Sequence, residues 1–191
     1  MSDFTLYFET GWYHIISLDA LDHILFIIAL SAIYLVSNWK QVLVLVTAFT
    51  VGHSLTLALS AYDIVRFNQQ LIEFLIPCTI VATCLFNFAI KDFNTRSLRL
   101  NYFLALIFGL IHGMGFANTI RFMLAKDQNI AVPLISFNIG IEAGQVVLVF
   151  CILLISYLVV NLLSIKRIWW VWALSTIALL LSLNMLVERW P

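Results

Sequence analysis

The chain has 191 residues, of which 63% are hydrophobic and only 10% are charged. A soluble domain of this size cannot bury so much apolar surface, so the composition, with a mean hydropathy of +1.02, predicts an integral membrane protein. Ten basic residues balance ten acidic ones. This even charge excludes a polybasic protein that binds nucleic acid.

Six apolar segments follow one another along the chain, and a helix needs roughly 20 such residues to cross a bilayer. They cover approximately residues 19–37, 41–61, 69–90, 100–122, 131–162 and 168–188. The polar links between them are too short to form domains. We therefore expect an all-α fold, a single transmembrane domain over residues 1–191 with about six spanning helices.

The segment before the first predicted span, residues 4–18, mixes aromatic and polar side chains. It is too short to cross a bilayer on its own, and its composition is typical of the membrane interface. We expect a short helix that lies at the interface or enters the membrane part of the way, as a half-buried lid.

Lysine and arginine are distributed unevenly between the two sides of the predicted bundle. The links after spans one, three and five carry Lys40, Lys91, Arg96, Arg99, Lys166 and Arg167. The opposite side carries Arg66, Arg121, Lys126 and Arg189. Because positively charged links stay in the cytoplasm, we predict that both termini lie outside, in the periplasm of a bacterial inner membrane.

The ionisable residues of the predicted spans lie at similar depths. At a rise of about 1.5 Å per residue, His23, His53, His112 and Glu142 fall between the outer surface and the membrane centre, and Asp22 lies near that surface. Such groups cost several kcal/mol each unless they are paired or hydrated, and they are usually functional. We expect them to meet in one polar cluster, with glycine-rich surroundings that let the helices approach closely.

The side chains in this layer are imidazoles and carboxylates. Cys78, Cys84 and Cys151 lie in apolar runs without CxxC spacing, so we interpret them as small hydrophobic residues. Histidine and carboxylate without thiolate suit a borderline divalent metal such as Ni²⁺, Zn²⁺ or Co²⁺. The residue types leave the choice among these ions open.

Four stretches occur in a specific order: GWYHIISLDALDHILFIIAL, TAFTVGHSLTLAL, FGLIHGMGFA and FNIGIEAGQ. Together they resemble the HupE/UreJ family of hydrogenase and urease accessory membrane proteins, over roughly residues 11–145. The resemblance implies a small permease of the six-helix class that carries nickel or cobalt for nickel enzymes. The family's first motif pairs a histidine with a later Asp-His doublet, and it maps onto His14, Asp22 and His23.

We predict transport of a divalent transition metal, nickel or cobalt as the preferred cargo and zinc as a further possibility, through an intramembrane site with no catalytic residue. The predicted metal ligands are His14, Asp22, His23, His53, His112 and Glu142.

Each of these residues also has a structural interpretation. Asp22 would stabilise a helix start, His14 would be an interfacial side chain, and His53 and His112 would bond neighbouring helices. Asp19, four residues before His23, could orient that imidazole or simply cap the helix.

Two other functions stay open. A zinc-dependent intramembrane hydrolase would hold its metal with three ligands and an open position. A non-transporting accessory subunit would use the same polar residues as a hydrogen-bond network. A second copy of the chain or another membrane protein also stays open as a partner.

Overall fold

The structure, a computed structural model, describes residues 3–90, 93, 95–116, 119, 120 and 130–191, with the backbone alone for residues 95–100. Its α-helices are α1 (Asp3–Ile16), α2 (Leu21–Ser31), α3 (Trp39–Ala61), α4 (Gln69–Ala89), α5 (Thr95–Gly115), α6 (Ala131–Ser156) and α7 (Arg167–Glu188). Short 3-10 turns, Leu18–Ala20 and Val36–Asn38, precede α2 and α3, and a π-helical turn, Tyr157–Leu162, extends α6. Of the charges used to predict the orientation, Lys91, Arg121 and Lys126 lie outside the described residues.

The described residues contain helices and no strand, which confirms the all-α prediction. Within the described ranges, four helical segments are long and apolar enough to cross a membrane: Val36–Ala61, Gln69–Ala89, Ala131–Leu162 and Arg167–Glu188. The apolar part of α5, Asn101–Gly115, is shorter. The predicted count of about six spans is therefore not confirmed.

The first predicted span, residues 19–37, is not one continuous helix. Helix α2 ends at Ser31, and residues 32–35 are not helical. Instead α1 and the segment Leu18–Ser31 form a pair bent by 60°, which together are apolar enough for a fifth span or for a re-entrant segment. In the N-terminal residues 4–18, helix α1 packs one face against α6 and buries Tyr7, Gly11 and Ile15.

Helices α1 and α6 touch along a seam of glycines. A Cβ atom on Gly140 would lie 2.1 Å from the carbonyl oxygen of Phe8, and one on Gly144 would lie 3.1 Å from Ile15 Cβ. A Cβ on Gly11 would likewise meet the backbone of α6 at 2.1 Å. Residue numbers rise in the same direction along both helices through these contacts, so α1 and α6 form a parallel pair. Only glycine permits this spacing.

Helices α3 and α5 form a second parallel pair with the same kind of contact. A Cβ on Gly109 would lie 2.1 Å from the carbonyl oxygen of Phe49, and one on Gly113 would lie 2.3 Å from that of His53. Gly52 faces the backbone of α5 at 2.3 Å. The close contacts predicted for the glycines beside His53, His112 and Glu142 are found at both seams.

Helix α7 holds α2 at both of its ends. Arg167, at the start of α7, donates to the carbonyl of Ile33 just after α2. Arg189, just after α7, donates through Nη1 to Asp22 in the first turn of α2 at 3.3 Å. Asn87 of α4 joins this group, since its Nδ2 donates to the carbonyl of Ala29 at 2.7 Å. Helices α2, α4 and α7 thus make a third packed unit.

Candidate metal centre

The four histidines of the chain lie together, although they come from α1, α2, α3 and α5. Ring centroids are 4.6 Å apart for His14 and His23, 5.2 Å for His23 and His112, and 6.0 Å for His23 and His53. His14, His23 and His53 each offer a ring nitrogen, and these three atoms all lie within 4.8 Å of one another. The spacing is that of a candidate metal centre.

The ring nitrogens that face this centre lack hydrogen-bond partners within the described parts of the chain. Nε2 of His14, His23, His53 and His112 is buried and unpaired, and so is Nδ1 of His53. Buried polar atoms in folded proteins are nearly always bonded. A metal ion is a partner that several neighbouring imidazoles can bind at once.

Two of the rings are held by their other nitrogen. Nδ1 of His23 lies 2.9 Å from Oδ1 of Asp22, and Nδ1 of His112 lies 2.8 Å from the carbonyl oxygen of Phe108. An ionised carboxylate and a carbonyl can only accept, so a neutral imidazole at either position carries its proton on Nδ1 and leaves a lone pair on Nε2. Histidine ligands of metals are commonly oriented in this way.

Asp22 is engaged through both of its carboxylate oxygens. Oδ1 accepts from the backbone N–H of His23 at 2.8 Å as well as from its ring, and Oδ2 accepts from Arg189. The first N–H groups of a helix have no partner within the helix. The Asp22 carboxylate accepts from the backbone N–H of His23, and this bond places it beside the imidazole of His23. Asp22 therefore orients His23, whereas the sequence suggested Asp22 as a ligand and Asp19 as the orienting group.

Asp19 does not belong to α2, which explains the difference. It lies in the 3-10 turn Leu18–Ala20 before the helix, so the four-residue spacing to His23 does not place both on one helix face. Its side chain is exposed at the edge of the cavity described next.

A cavity of about 340 Å³ leads to the cluster, and we call it the histidine cavity. His14, His23 and His112 line it, together with residues at the start of α4 and just after α7. Its carboxylates are those of Asp19, Asp22 and Glu73, and both Asp19 and Glu73 are exposed. Acidic side chains thus surround the opening, and imidazoles form the floor.

Aromatic rings close the cluster on its other sides. Phe26 and Phe49 are fully buried, with ring centroids 5.2 Å and 5.1 Å from that of His112. The ring of Phe116 lies 4.2 Å from that of His14. These walls exclude water, which strengthens electrostatic interactions with any bound ion.

The family model described as HupE / UreJ protein matches residues 1–189 of the chain. The chain belongs to the HupE/UreJ family. The match extends beyond the four motifs to include α7, and therefore Arg189. Comparison with the curated proteins and with the solved structures finds no match.

In this HupE/UreJ protein, Glu142 does not join the histidines. Its Oε1 accepts from Oγ1 of Thr47 at 2.8 Å, and it lines a separate cavity of about 510 Å³ between α3 and α6. Gly140 and Gly144 face α1, and Glu142 lies two residues from each, about 200° around the helix axis. The predicted carboxylate ligand therefore points toward α3 and away from the cluster, in contrast to the sequence-based expectation.

Two groups that contact the centre were not predicted from the sequence. Arg189 was counted only as a charge after the last span, although a lone arginine that follows an apolar helix can turn back onto a buried acid. The carbonyl of Phe108, which accepts from His112, carries no sequence signal because every helical residue has such a group.

Proposed function

We propose that this HupE/UreJ protein binds a divalent transition metal ion at the four-histidine cluster and moves it across the bacterial inner membrane. The observation that carries the proposal is the set of buried, unpaired imidazole nitrogens, three of which, on His14, His23 and His53, lie within 4.8 Å of one another. The family is associated with hydrogenase and urease accessory proteins, which makes nickel or cobalt the preferred cargo.

The donor set supports this class of metal. Imidazole nitrogens suit Ni²⁺, Co²⁺ and Zn²⁺, whereas thiolates and thioethers would select Cu⁺. Bound ions of this kind hold imidazole nitrogens at about 2.1 Å, so ligand atoms lie no more than about 4.2 Å apart. His14, His23 and His53, whose nitrogens lie within 4.8 Å, need only small side-chain rotations to reach one ion, and His112 would complete the site.

The ligands also suit a metal that is released again. Four neutral imidazoles leave the charge of the ion uncompensated, because Asp22 lies behind His23 and Glu142 lies elsewhere. Such a site binds less tightly than one built from thiolates or several carboxylates. Acidic groups at the opening of the histidine cavity would attract cations toward the imidazoles.

We also propose that both termini of the protein lie in the periplasm. If both termini are periplasmic, the histidine cavity opens to the periplasm, because it lies where α4 begins and α7 ends. Protease treatment of intact spheroplasts that carry a C-terminal tag tests this. Loss of the tag is expected, and its full protection would overturn the orientation.

The decisive experiment measures bound metal and transport on the same protein. Purified protein is analysed for Ni²⁺ and Co²⁺, and sealed vesicles that contain it are assayed for uptake of each ion. His23→Ala and His112→Ala should lose both binding and uptake, while the control Thr47→Ala, on another face of α3, should keep both. Uptake by wild-type vesicles no faster than by empty vesicles would refute transport.

One observation also fits a zinc enzyme. Three histidines around a common point, one of them backed by a carboxylate, are typical of catalytic zinc sites. Exchange separates the two functions. A single Zn²⁺ ion that survives purification and chelation indicates catalysis, whereas a metal that exchanges readily with the medium indicates transport.

A non-transporting accessory subunit would give a different result. In that case His53→Ala would lower thermal stability without changing the metal content.

A further inference from the structure

A second cavity lies between α2, α4 and α5, nearer the opposite end of the bundle. Its volume is about 160 Å³, and its polar residues are Thr83, Asn87 and Asn101. We call it the asparagine cavity. Space of this size admits several water molecules, and polar groups in its wall would hydrate them.

One face of α5 lines both cavities. Asn101, Leu104 and Phe108 line the asparagine cavity, while His112 and Gly115 line the histidine cavity. Successive members of this set are three or four residues apart, which is the spacing of neighbours on one helix face. The two cavities are therefore consecutive along the same helix surface.

Helix α4 shows the same arrangement. Glu73 and Ile76 line the histidine cavity, and Thr83 and Asn87 line the asparagine cavity. Ile80, which is fully buried, occupies the position between the two pairs on the same face. Two helices of the bundle thus follow the same course from one cavity to the other.

Aromatic side chains separate the cavities. On α2, Phe26 is three residues after His23, which lines the histidine cavity, and four before Leu30, which lines the asparagine cavity. The rings of Phe26 and Phe108 are 5.9 Å apart. Phe26 is fully buried, and along α2 and α5 the two rings lie between the residues nearest to each cavity.

The barrier is joined directly to a proposed ligand. Phe108 accepts the hydrogen bond from Nδ1 of His112 through its backbone carbonyl, while its side chain lines the asparagine cavity. His112 is therefore bonded to the same residue whose ring contributes to the barrier.

We propose that the asparagine cavity is the second half of the cation path, and that Phe26 and Phe108 form the gate between the two halves. The inference rests on the proposed transport function. The cavity would hold a partly hydrated divalent cation transiently through neutral oxygen atoms. Asn87 suits this role, because its Nδ2 is used as a donor to Ala29 and to Ser175, so its Oδ1 is the atom it can present to a cation.

Two substitutions with opposite effects test the path, with Ni²⁺ as the probe. Leu104→Trp fills the asparagine cavity and should abolish uptake into sealed vesicles while metal bound by the purified protein is unchanged. Phe108→Ala opens the barrier and should increase downhill uptake, again with bound metal unchanged, since alanine keeps the carbonyl that accepts from His112. Phe103, on α5 and 60% exposed, supplies the controls Phe103→Trp and Phe103→Ala, which should behave like wild type.

The outcomes separate the path from the transport function. Wild-type vesicles that fail to accumulate Ni²⁺ would refute both. Normal wild-type uptake together with normal uptake by Leu104→Trp would overturn the path alone. If Leu104→Trp loses its bound metal, its fold is disturbed, and the result for Phe108→Ala is used instead. Faster downhill Ni²⁺ uptake by Phe108→Ala supports the gate, and an uptake rate equal to that of wild type overturns it.

Discussion

Asp22 and His23 are adjacent in sequence and are bonded to each other twice, through the backbone N–H and through Nδ1 of the ring, at 2.8 and 2.9 Å. The carboxylate bonds Nδ1, and the buried Nε2 of the same ring has no partner among the described residues. The pair has the form of a carboxylate that supports a metal-bound imidazole.

Replacement of this carboxylate should weaken metal binding without abolishing it. We expect Asp22→Ala to lower the affinity for Ni²⁺ roughly 10- to 100-fold, which is the usual effect of losing such a support. Titration of purified protein against a chelating dye measures the change. Asp19→Ala is the matched control, because Asp19 lines the same cavity without a bond to any of the four imidazoles among the described contacts. Equal losses in both variants would contradict the orienting role.

Arg189 should oppose the arrival of a cation. Its guanidinium group lines the histidine cavity and pairs with Asp22 at 3.3 Å. Arg189→Gln removes a positive charge close to the centre, so we expect tighter Ni²⁺ binding, with the gain largest at low ionic strength because salt screens the repulsion. Arg66→Gln, which alters an exposed ion pair with Asp63, should leave binding unchanged. A gain that is independent of salt would argue against an electrostatic cause.

Glu142→Gln should retain the full content of bound metal. The side chain lies in the separate cavity between α3 and α6, where it bonds to Thr47. Elemental analysis of the purified variant beside His112→Ala makes the comparison. Loss of metal in Glu142→Gln would mean that the carboxylate reaches the cluster in the metal-bound state.

The seam between α3 and α5 should not tolerate a methyl group. In Gly109→Ala the new Cβ would meet the carbonyl of Phe49 at 2.1 Å, so the helices must separate. We expect a loss of about 1–3 kcal/mol in the free energy of unfolding, the usual effect of overpacking, and a lower thermal transition in detergent.

Gly115→Ala provides the matched control for that seam. Its Cβ would lie 2.8 Å from Cδ1 of Ile76, the end of a flexible side chain that can move aside. The variant should therefore melt close to wild type. Similar losses for both glycines would mean that helix separation is not what destabilises the first variant.

The depth of the ionisable residues was enough to predict that His23, His53 and His112 meet, whereas His14 was predicted from the resemblance to the family. Imidazoles at similar depths in an apolar bundle cannot face lipid without a large cost, and the structure brings all four together. The same reasoning failed for Glu142, because depth does not define direction around a helix axis. The flanking glycines did hold that information, since they mark the face of α6 that packs against α1.

The N-terminal region was predicted least well. Hydropathy alone joined residues 19–37 into one span, whereas the chain bends at the turn Leu18–Ala20 and α2 ends at Ser31. Hydropathy measures how apolar a segment is and carries little information on where the backbone turns. The bend matters for the candidate site, because it brings His14 of α1 and His23 of α2 next to each other.

The arginines at the two ends of α7 have a mechanical consequence. They fasten α2 from both sides, and the glycine seams join α1 to α6 and α3 to α5, so the imidazoles are shared among three nearly rigid bodies. Small rotations of one unit against another would spread His14, His23 and His53 apart while His23 and His112 keep the bonds at their Nδ1 atoms. An ion bound between these units can be released without unfolding any helix.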